Sequence, residues 1–448
     1  MKKLAKLLVL VLALATFLSV SAFASDFDHC ADALNEMGLF QGTSNGYDLD
    51  RAPTRAEASA MLVRLLGKEA EAKELTYTAP FTDVLDWAKP YVQYLYDNGL
   101  TNGKTATTFG AKDRCTAQQY ATFLMRALGY SEAASDFTYA DALDFATQKG
   151  VVDAINCDPD NFLRDDVVAM SYTALSVAPK SGETDLLTKL VKEGAVADAK
   201  GYDELFANLR AYQAVANSDN TKGHMVMNIN LAVTADKEKV ADGTIKMDLN
   251  MDMDPKKPDS SKMAVTANVD MKVSADLVDD PSMAAINMDM NYYYTNGVLY
   301  LDLAGKKMQM PLSFENALDQ FDVSFNESQN DPVCMIANLT AKKSGNTTVY
   351  TIDYAPDAIN SILDMIYNMG LQDAGIEGLT LQLTNCEVTV TNGAMTGMKA
   401  SMDMGTTVEN IPLHIVADMD VTVDTKNVTV KLPNDLNTYA SMYTEQAA

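Results

Sequence analysis

The sequence predicts a multidomain chain, α in its first part and α+β in its second, and three observations carry that prediction. A helix, glycine-loop, helix unit recurs three times before residue 182. From Gly223 the hydrophobic period changes from helical to strict alternation, segment after segment, the pattern of antiparallel strands with one buried face. Ahead of both lies a short basic and apolar leader.

The leader, residues 1–24, reads as a secretory signal. Lys2, Lys3 and Lys6 are its basic region, residues 7–18 are apolar but too short to span a bilayer, and Ala22-Phe23-Ala24 is a small-residue cleavage site. No cysteine directly follows that site, so no lipid anchor is expected, and no later segment has the length and apolarity of a transmembrane helix. The 448 residues leave room for two or three domains. With 35 Lys+Arg against 61 Asp+Glu, the net charge of −26 excludes a nucleic-acid footprint and suits a soluble surface protein in a cation-rich wall. Five cysteines leave at least one unpaired. Cys334 and Cys386 are candidates for a bridge; free buried thiols throughout are an equal alternative.

The helical repeats are read from their starts. Thr54 and Glu57 form a capping box, in which the hydroxyl accepts from the Glu57 N–H and the carboxylate from the Thr54 N–H. Met61, Leu62, Leu65 and Leu66 follow on one helical face. Neither the cap nor the core needs Arg55. A guanidinium beside a helix N-terminus offers a fixed fork for a carboxylate or phosphate, where free N–H groups and the helix dipole also favour an anion. In so acidic a chain, anion binding depends on such a local pocket rather than on net charge. The second copy starts with Thr116 and Gln119, continues through Phe123, Leu124 and Leu128, and has Ala117 at the arginine position, with Arg114 upstream. The third keeps Arg164, Asp165 and Asp166, but Leu163 replaces the threonine. Gly42 and Gly103 shape the loops of the first two copies. The expected divisions are 25–76, 77–134 and 135–182 for the repeats and 183–201 for a helical linker.

This unit resembles the S-layer homology (SLH) domain family over residues 26–180. The likeness rests on the Phe81-Thr82-Asp83-Val84 opening with Trp87-Ala88, the Gly99-Leu100 loop closing at Gly103, and the Arg126-Ala127-Leu128-Gly129 ending. The resemblance implies a three-lobed helical module that binds an anionic secondary polysaccharide of the Gram-positive cell wall non-covalently. It implies that the arginine after the threonine lies in a groove between lobes and holds an acidic sugar substituent. That carries over to Arg55, and to Arg164 within a degraded motif, but not to Ala117. On this reading Thr54 and Glu57 aim Arg55, while Asp83 and Trp87 are candidates for lining a groove.

The β part is expected at 202–435, opened by a helix at 202–216 and followed by a tail at 436–448. Alternation marks strands at 225–233, 245–253, 263–273 and 286–294, and later at 335–342, 347–354, 379–391, 395–404, 413–424 and 428–432. Asn296-Gly297 and Asn392-Gly393 are hairpin turns. Helical interruptions at 314–321 and 356–369 are positioned to cover the apolar face. A helix followed by a long antiparallel sheet with a helical lid is similar to the LolA/LppX-like lipoprotein-carrier fold. That similarity implies a curled half-barrel whose concave face holds an acyl chain. Met247, Met251, Met288, Met290, Met402 and Met419 stand on the inward face at strand spacing. Their thioethers are soft enough for Cu(I), but the placement points to pocket or core lining. The acids of the outward face lack calcium-loop spacing and read as solvated.

No cofactor or metal is expected. The three histidines are scattered, and no nucleophile elbow, P-loop or zinc-spaced cluster occurs. The leading expectation is a non-enzymatic surface protein on an anionic wall polysaccharide. Its alternatives are a wall-tethered carrier of lipid or another apolar ligand, and a wall-modifying hydrolase. Oligomeric state is left open.

Overall fold

The computed structural model describes residues 27–153, 156–182, 184–216, 221–254, 256–274, 284–314, 333–356, 359, 376–408, 411–426 and 428–442. The leader and most of both expected covering helices lie outside the described residues.

The helical part contains α1 (Asp28–Glu36), α2 (Arg55–Leu65), α3 (Glu69–Lys73), α4 (Lys89–Asp97), α5 (Ala117–Ala127), α6 (Ala142–Gln148), α7 (Arg164–Leu175) and α8 (Leu186–Lys192), and α9 (Tyr202–Ala216) leads into the sheet. The three long repeat helices start by different chemistry. At α2 both halves of the capping box are present, with Glu57 N donating to Thr54 Oγ1 at 3.2 Å and Thr54 N to Glu57 Oε2 at 2.8 Å. At α5 the Thr116 hydroxyl accepts from Gln119 N, without the reciprocal bond. At α7, Leu163 has no oxygen to cap with. Asp166 takes over, accepting from Leu163 N at 2.6 Å and Asp158 N at 2.7 Å. Burial raises its carboxyl to about 6 despite those donors.

The lobes are locked head to neighbour. Arg55 N and Ala56 N donate to Asp113 O and Ala111 O of the second lobe. At the equivalent positions, Arg164 N and Asp165 N donate to Arg51 O and Leu49 O of the first. Each helix start thereby finds acceptors for N–H groups that lack partners within the helix. Among the described residues no equivalent pair joins the start of α5 to the third lobe. There, Tyr120 Oη bonds Ser171 Oγ at 2.7 Å.

The sheet has twelve strands: β1 (Lys222–Ala235), β2 (Glu238–Asp252), β3 (Lys262–Val273), β4 (Ala285–Thr295), β5 (Val298–Leu303), β6 (Lys306–Pro311), β7 (Ile336–Ser344), β8 (Thr347–Tyr354), β9 (Ile376–Thr391), β10 (Ala394–Val408), β11 (Ile411–Asp424) and β12 (Ala440–Ser441). Their order is β12-β6-β5-β4-β3-β2-β1-β11-β10-β9-β8-β7. Two antiparallel meanders thus meet where β1 pairs with β11, in register from His224 with Asp424 to Ala235 with Leu413. Asn296, Gly297, Asn392 and Gly393 all have positive φ, as two-residue hairpins matched to strand twist require.

Two expectations fail here. Residues 428–432 form no strand; the chain instead runs on to β12, which adds to the edge of β6 in parallel. The Cys334–Cys386 bridge is not formed, and all five cysteines are free and buried.

The end of the chain straps that β6 edge. Tyr439 is 4% exposed, its carbonyl accepts from Gln309 Nε2 at 2.9 Å, Met442 N donates to Gln309 O at 2.9 Å, and Lys307 pairs with Asp435 at 2.5 Å. An open edge presents unpaired backbone groups to other chains. Deleting residues 433–448 is expected to raise self-association over that of the full chain at equal concentration. Identical light-scattering masses for both would contradict this.

The core does not respect the division between helices and sheet. One apolar cluster runs from Cys30 and Leu34 of α1 through Met170 and Leu175 of α7 and Phe206 of α9 to Leu339, Tyr350 and Val388 of the sheet. The His29 ring nitrogen Nε2 lies 2.7 Å from Cys334 O, and Asn208 of α9 donates to Leu339 O at 3.1 Å. A second cluster, including Met227, Ile245, Val269, Met404 and Ile415, is built from the inward residues of β1–β4 and β9–β11.

Candidate functional site

Arg55 is the first residue of α2, and its position follows from the lobe lock just described. It is 6% exposed. Nε donates to Phe109 O at 3.0 Å, and the guanidinium carbon stands 4.9 Å from the Phe109 ring centroid and 4.8 Å from that of Phe123. The cation is thus held between two aromatic faces of the second lobe, which attract it through their quadrupoles. Burial lowers its pKa, and Cys115, Tyr139, Arg126 and Asp113 contribute smaller effects. A guanidinium remains charged through such a shift. Among the described residues no carboxylate forms an ion pair with it. This is a buried cation with its counter-ion missing, in a chain with a large excess of acids.

Glu57 does not fill that role. Its carboxylate takes both Arg51 guanidinium nitrogens, at 3.0 and 2.6 Å, besides the Thr54 N–H and hydroxyl. Burial opposes ionisation, yet those donors hold its pKa down at about 2. Arg51 also pairs with Asp48. Thr54 and Glu57 therefore fix the start of α2, and Arg51 keeps the neighbouring acid from quenching Arg55.

Arg164 occupies the equivalent place between the third and first lobes, but every guanidinium nitrogen is engaged. Nε and Nη2 donate to Tyr47 O at 3.1 and 3.0 Å, and Nη1 reaches Met61 Sδ at 3.7 Å. At 3% exposure it braces the lobes. The third equivalent is Ala117, so that junction carries no cation at this position.

Asp83 does not face the groove directly. Its carboxylate accepts from Phe109 N and Gly110 N, both at 2.7 Å, and from Ala111 N at 3.4 Å. Burial pushes its pKa up, but the backbone donors outweigh this and hold it below the usual carboxylate range. Asp83 clamps the loop whose Phe109 carries Arg55. Trp87 is 49% exposed and meets Tyr91 edge-on at 6.4 Å, with no ring contact to Phe109 or Phe123. The two loop glycines are required sterically. A Cβ on Gly42 would lie 2.5 Å from Gly46 O, and one on Gly103, where φ is +71°, would lie 2.3 Å from the Phe81 ring.

The methionines divide. Met290 is buried in the second apolar cluster; Met247, Met288, Met402 and Met419 are half-buried and pack against it. Met251 is half-buried outside that cluster, with its methyl beside Gly223. No group of three or more His, Cys, Asp or Glu suited to a metal ion occurs among the described residues. His224 pairs with Asp248 at 3.2 Å and His414 with Asp403 at 2.6 Å, each a single contact.

Sequence reasoning missed Arg51, Phe109 and Tyr139. Phe123 was visible only as a core position. The repeat did carry a signal for Phe109, because it is the counterpart of Tyr47, which binds Arg164 in the same way.

Comparison with known proteins agrees with the helical half. The model of the S-layer homology domain matches residues 80–121. The "Middle cell wall protein" of Brevibacillus brevis is 28% identical over 156 residues, covering 34% of this chain and 15% of that one. The "Surface layer protein" of Brevibacillus choshinensis is 29% identical over 136 residues, covering 27% and 12%. An "Endoglucanase" of a Bacillus species is 33% identical over 117 residues, covering 26% and 12%. The chain thus spans less than a sixth of the length of these relatives. Among solved structures, LprF from Mycobacterium bovis overlaps 51% of this chain and 97% of its own, at 12% identity and a TM-score of 0.24. A LolA superfamily protein from Nitrosomonas europaea overlaps 52% and 96%, at 10% and 0.17. Scores of that size carry no argument, and the architecture of the sheet rests on its own strand pairing. Residues 80–121 are an S-layer homology domain, and the chain is a secreted, cell-surface protein of the S-layer homology type.

Proposed function

We propose that the helical lobes hold this protein non-covalently on an anionic secondary cell-wall polysaccharide, through the groove at Arg55, and that the sheet domain is displayed outward without enzymatic activity. The observation that carries this reading is the buried Arg55 guanidinium, stacked between two aromatic rings and lacking a carboxylate partner. A ligand carboxylate or phosphate supplies the missing charge bidentately. The chain then has one working groove. Arg164 is occupied by Tyr47 and Met61, and Ala117 has no charge to offer.

The test uses the whole mature chain, because one apolar cluster joins lobes and sheet and a cut near residue 200 would expose it. Binding to purified wall sacculi is measured before and after acid extraction of the secondary polymer. Binding that disappears on extraction is expected. Binding that persists, or never occurs, would overturn the reading.

A second reading, a tethered carrier of lipid or another apolar ligand, is favoured by one observation: Met247, Met288, Met402 and Met419 remain half-buried on the apolar face. Flexible thioethers suit an adaptable apolar contact. Native mass spectrometry of the purified chain should then reveal a co-purifying acyl ligand. Turnover of wall material would instead favour a hydrolase, to which the endoglucanase relative alone points.

A further inference from the structure

The third lobe departs from the second at a telling position. In the second lobe Phe81-Thr82 is followed by Asp83, the clamp on the loop carrying Phe109. In the third, Phe137-Thr138 is followed by Tyr139. A phenol cannot accept three backbone N–H bonds, and the third-lobe loop is held by other groups. Asp153 and Asn156 exchange backbone-to-side-chain bonds at 2.9 Å each way, and Asp166 takes Asp158 N.

Released from that duty, Tyr139 is 51% exposed, among the largest apolar exposures in the chain. It is nevertheless fixed. Thr138 Oγ1 donates to Asp141 Oδ1 at 3.0 Å, closing the turn, and Gln118 Nε2 donates to the Tyr139 carbonyl. Gln118 belongs to α5, the helix whose Phe123 supports the Arg55 guanidinium. Tyr139 also lies within electrostatic reach of Arg55. A rigid, exposed ring therefore stands beside a buried cation without a counter-ion. The ring has an apolar face and a polar tip, and that combination fits a sugar, whose C–H face stacks on an aromatic while its substituents remain wet.

We propose that Tyr139 is a specificity-determining contact of the Arg55 groove: its ring seats the face of the sugar whose acidic substituent pairs with Arg55. The groove then selects an anion carried on a sugar ring over a free anion. This inference rests on the reading of the Arg55 groove as the polymer site.

The test compares the mature wild-type chain with Arg55→Ala, Tyr139→Ala and Tyr139→Phe for sedimentation with sacculi. Melting curves serve as the folding control, which an exposed residue should leave unchanged. Tyr139→Ala is expected to weaken binding roughly fivefold, the size of one aromatic contact, while Tyr139→Phe keeps most of it because the ring remains. Arg55→Ala weakens it further. Loss in Arg55→Ala with wild-type binding in Tyr139→Ala overturns this inference and leaves the groove. Loss in Tyr139→Ala with none in Arg55→Ala, or loss in neither, overturns both. A Tyr139→Phe chain as weak as Tyr139→Ala makes the hydroxyl the contact and overturns ring seating.

Discussion

Arg55→Ala is expected to lower affinity for wall sacculi by at least roughly thirtyfold while the chain still folds. Truncating one partner of a desolvated charge pair costs about 2–5 kcal/mol, and tenfold in affinity corresponds to about 1.4 kcal/mol. The fold survives because Arg55 makes one side-chain hydrogen bond, to Phe109 O, and lies between rings that can close on one another. Arg55→Lys is the informative companion. It keeps the charge but loses the planar fork and the flat stack, so affinity should fall between wild type and alanine. Arg164→Ala should behave in the opposite way. It removes two bonds to Tyr47 O from a buried brace, so it should lower the melting temperature with little effect on affinity in chains that remain folded. Sacculus binding by Arg55→Ala equal to wild type would remove Arg55 from the site.

Asp83→Ala should produce the largest loss of stability among the exposed or half-buried site residues, and a loss of wall affinity without touching the ligand. Its carboxylate satisfies Phe109 N and Gly110 N at 2.7 Å each. Hydrogen bonds to charged groups contribute about 1.5–3 kcal/mol apiece when buried, so a net cost of about 2–4 kcal/mol is expected after allowing for solvent access. The loop it releases carries Phe109, one face of the Arg55 cradle. The pH dependence has a definite sign. The folded-state pKa of Asp83 is depressed, so its contribution is present above the unfolded carboxylate range near 4 and is lost as pH falls through the folded value. The gap between wild type and Asp83→Ala in urea midpoint should therefore be full at pH 7 and close in strong acid. A gap that is constant with pH would mean that the carboxylate charge is not what holds the loop.

The capping box at Thr54 and Glu57, the alternating strands and both Asn-Gly turns were legible because each depends on neighbours a few residues apart. The helical half was legible as a repeat for the same reason. The site was legible only in part. Arg55 stood out as a residue that neither cap nor core required, but nothing local distinguished it from Arg164, which has the same start-of-helix position. What separates them lies in the neighbouring lobe: a Phe109 loop that takes one guanidinium nitrogen, against a Tyr47 carbonyl that takes two and a Met61 sulfur that takes the third. Asp83 was assigned to a groove from its motif, whereas its role is to tie a loop 26 residues away.

By itself the sequence determined the order of helical repeats and sheet, the face each strand buries, and the identity of the arginine worth testing. These follow from periodicity and from hydrogen bonds between near neighbours. Only the tertiary structure decided that the lobes and sheet share a core, that residues 440–441 rather than 428–432 add to the sheet, and that one arginine is left without a counter-ion. Those outcomes depend on which carbonyls, rings and carboxylates arrive from distant parts of the chain, and a buried charge has no counterpart in sequence until its surroundings are assembled.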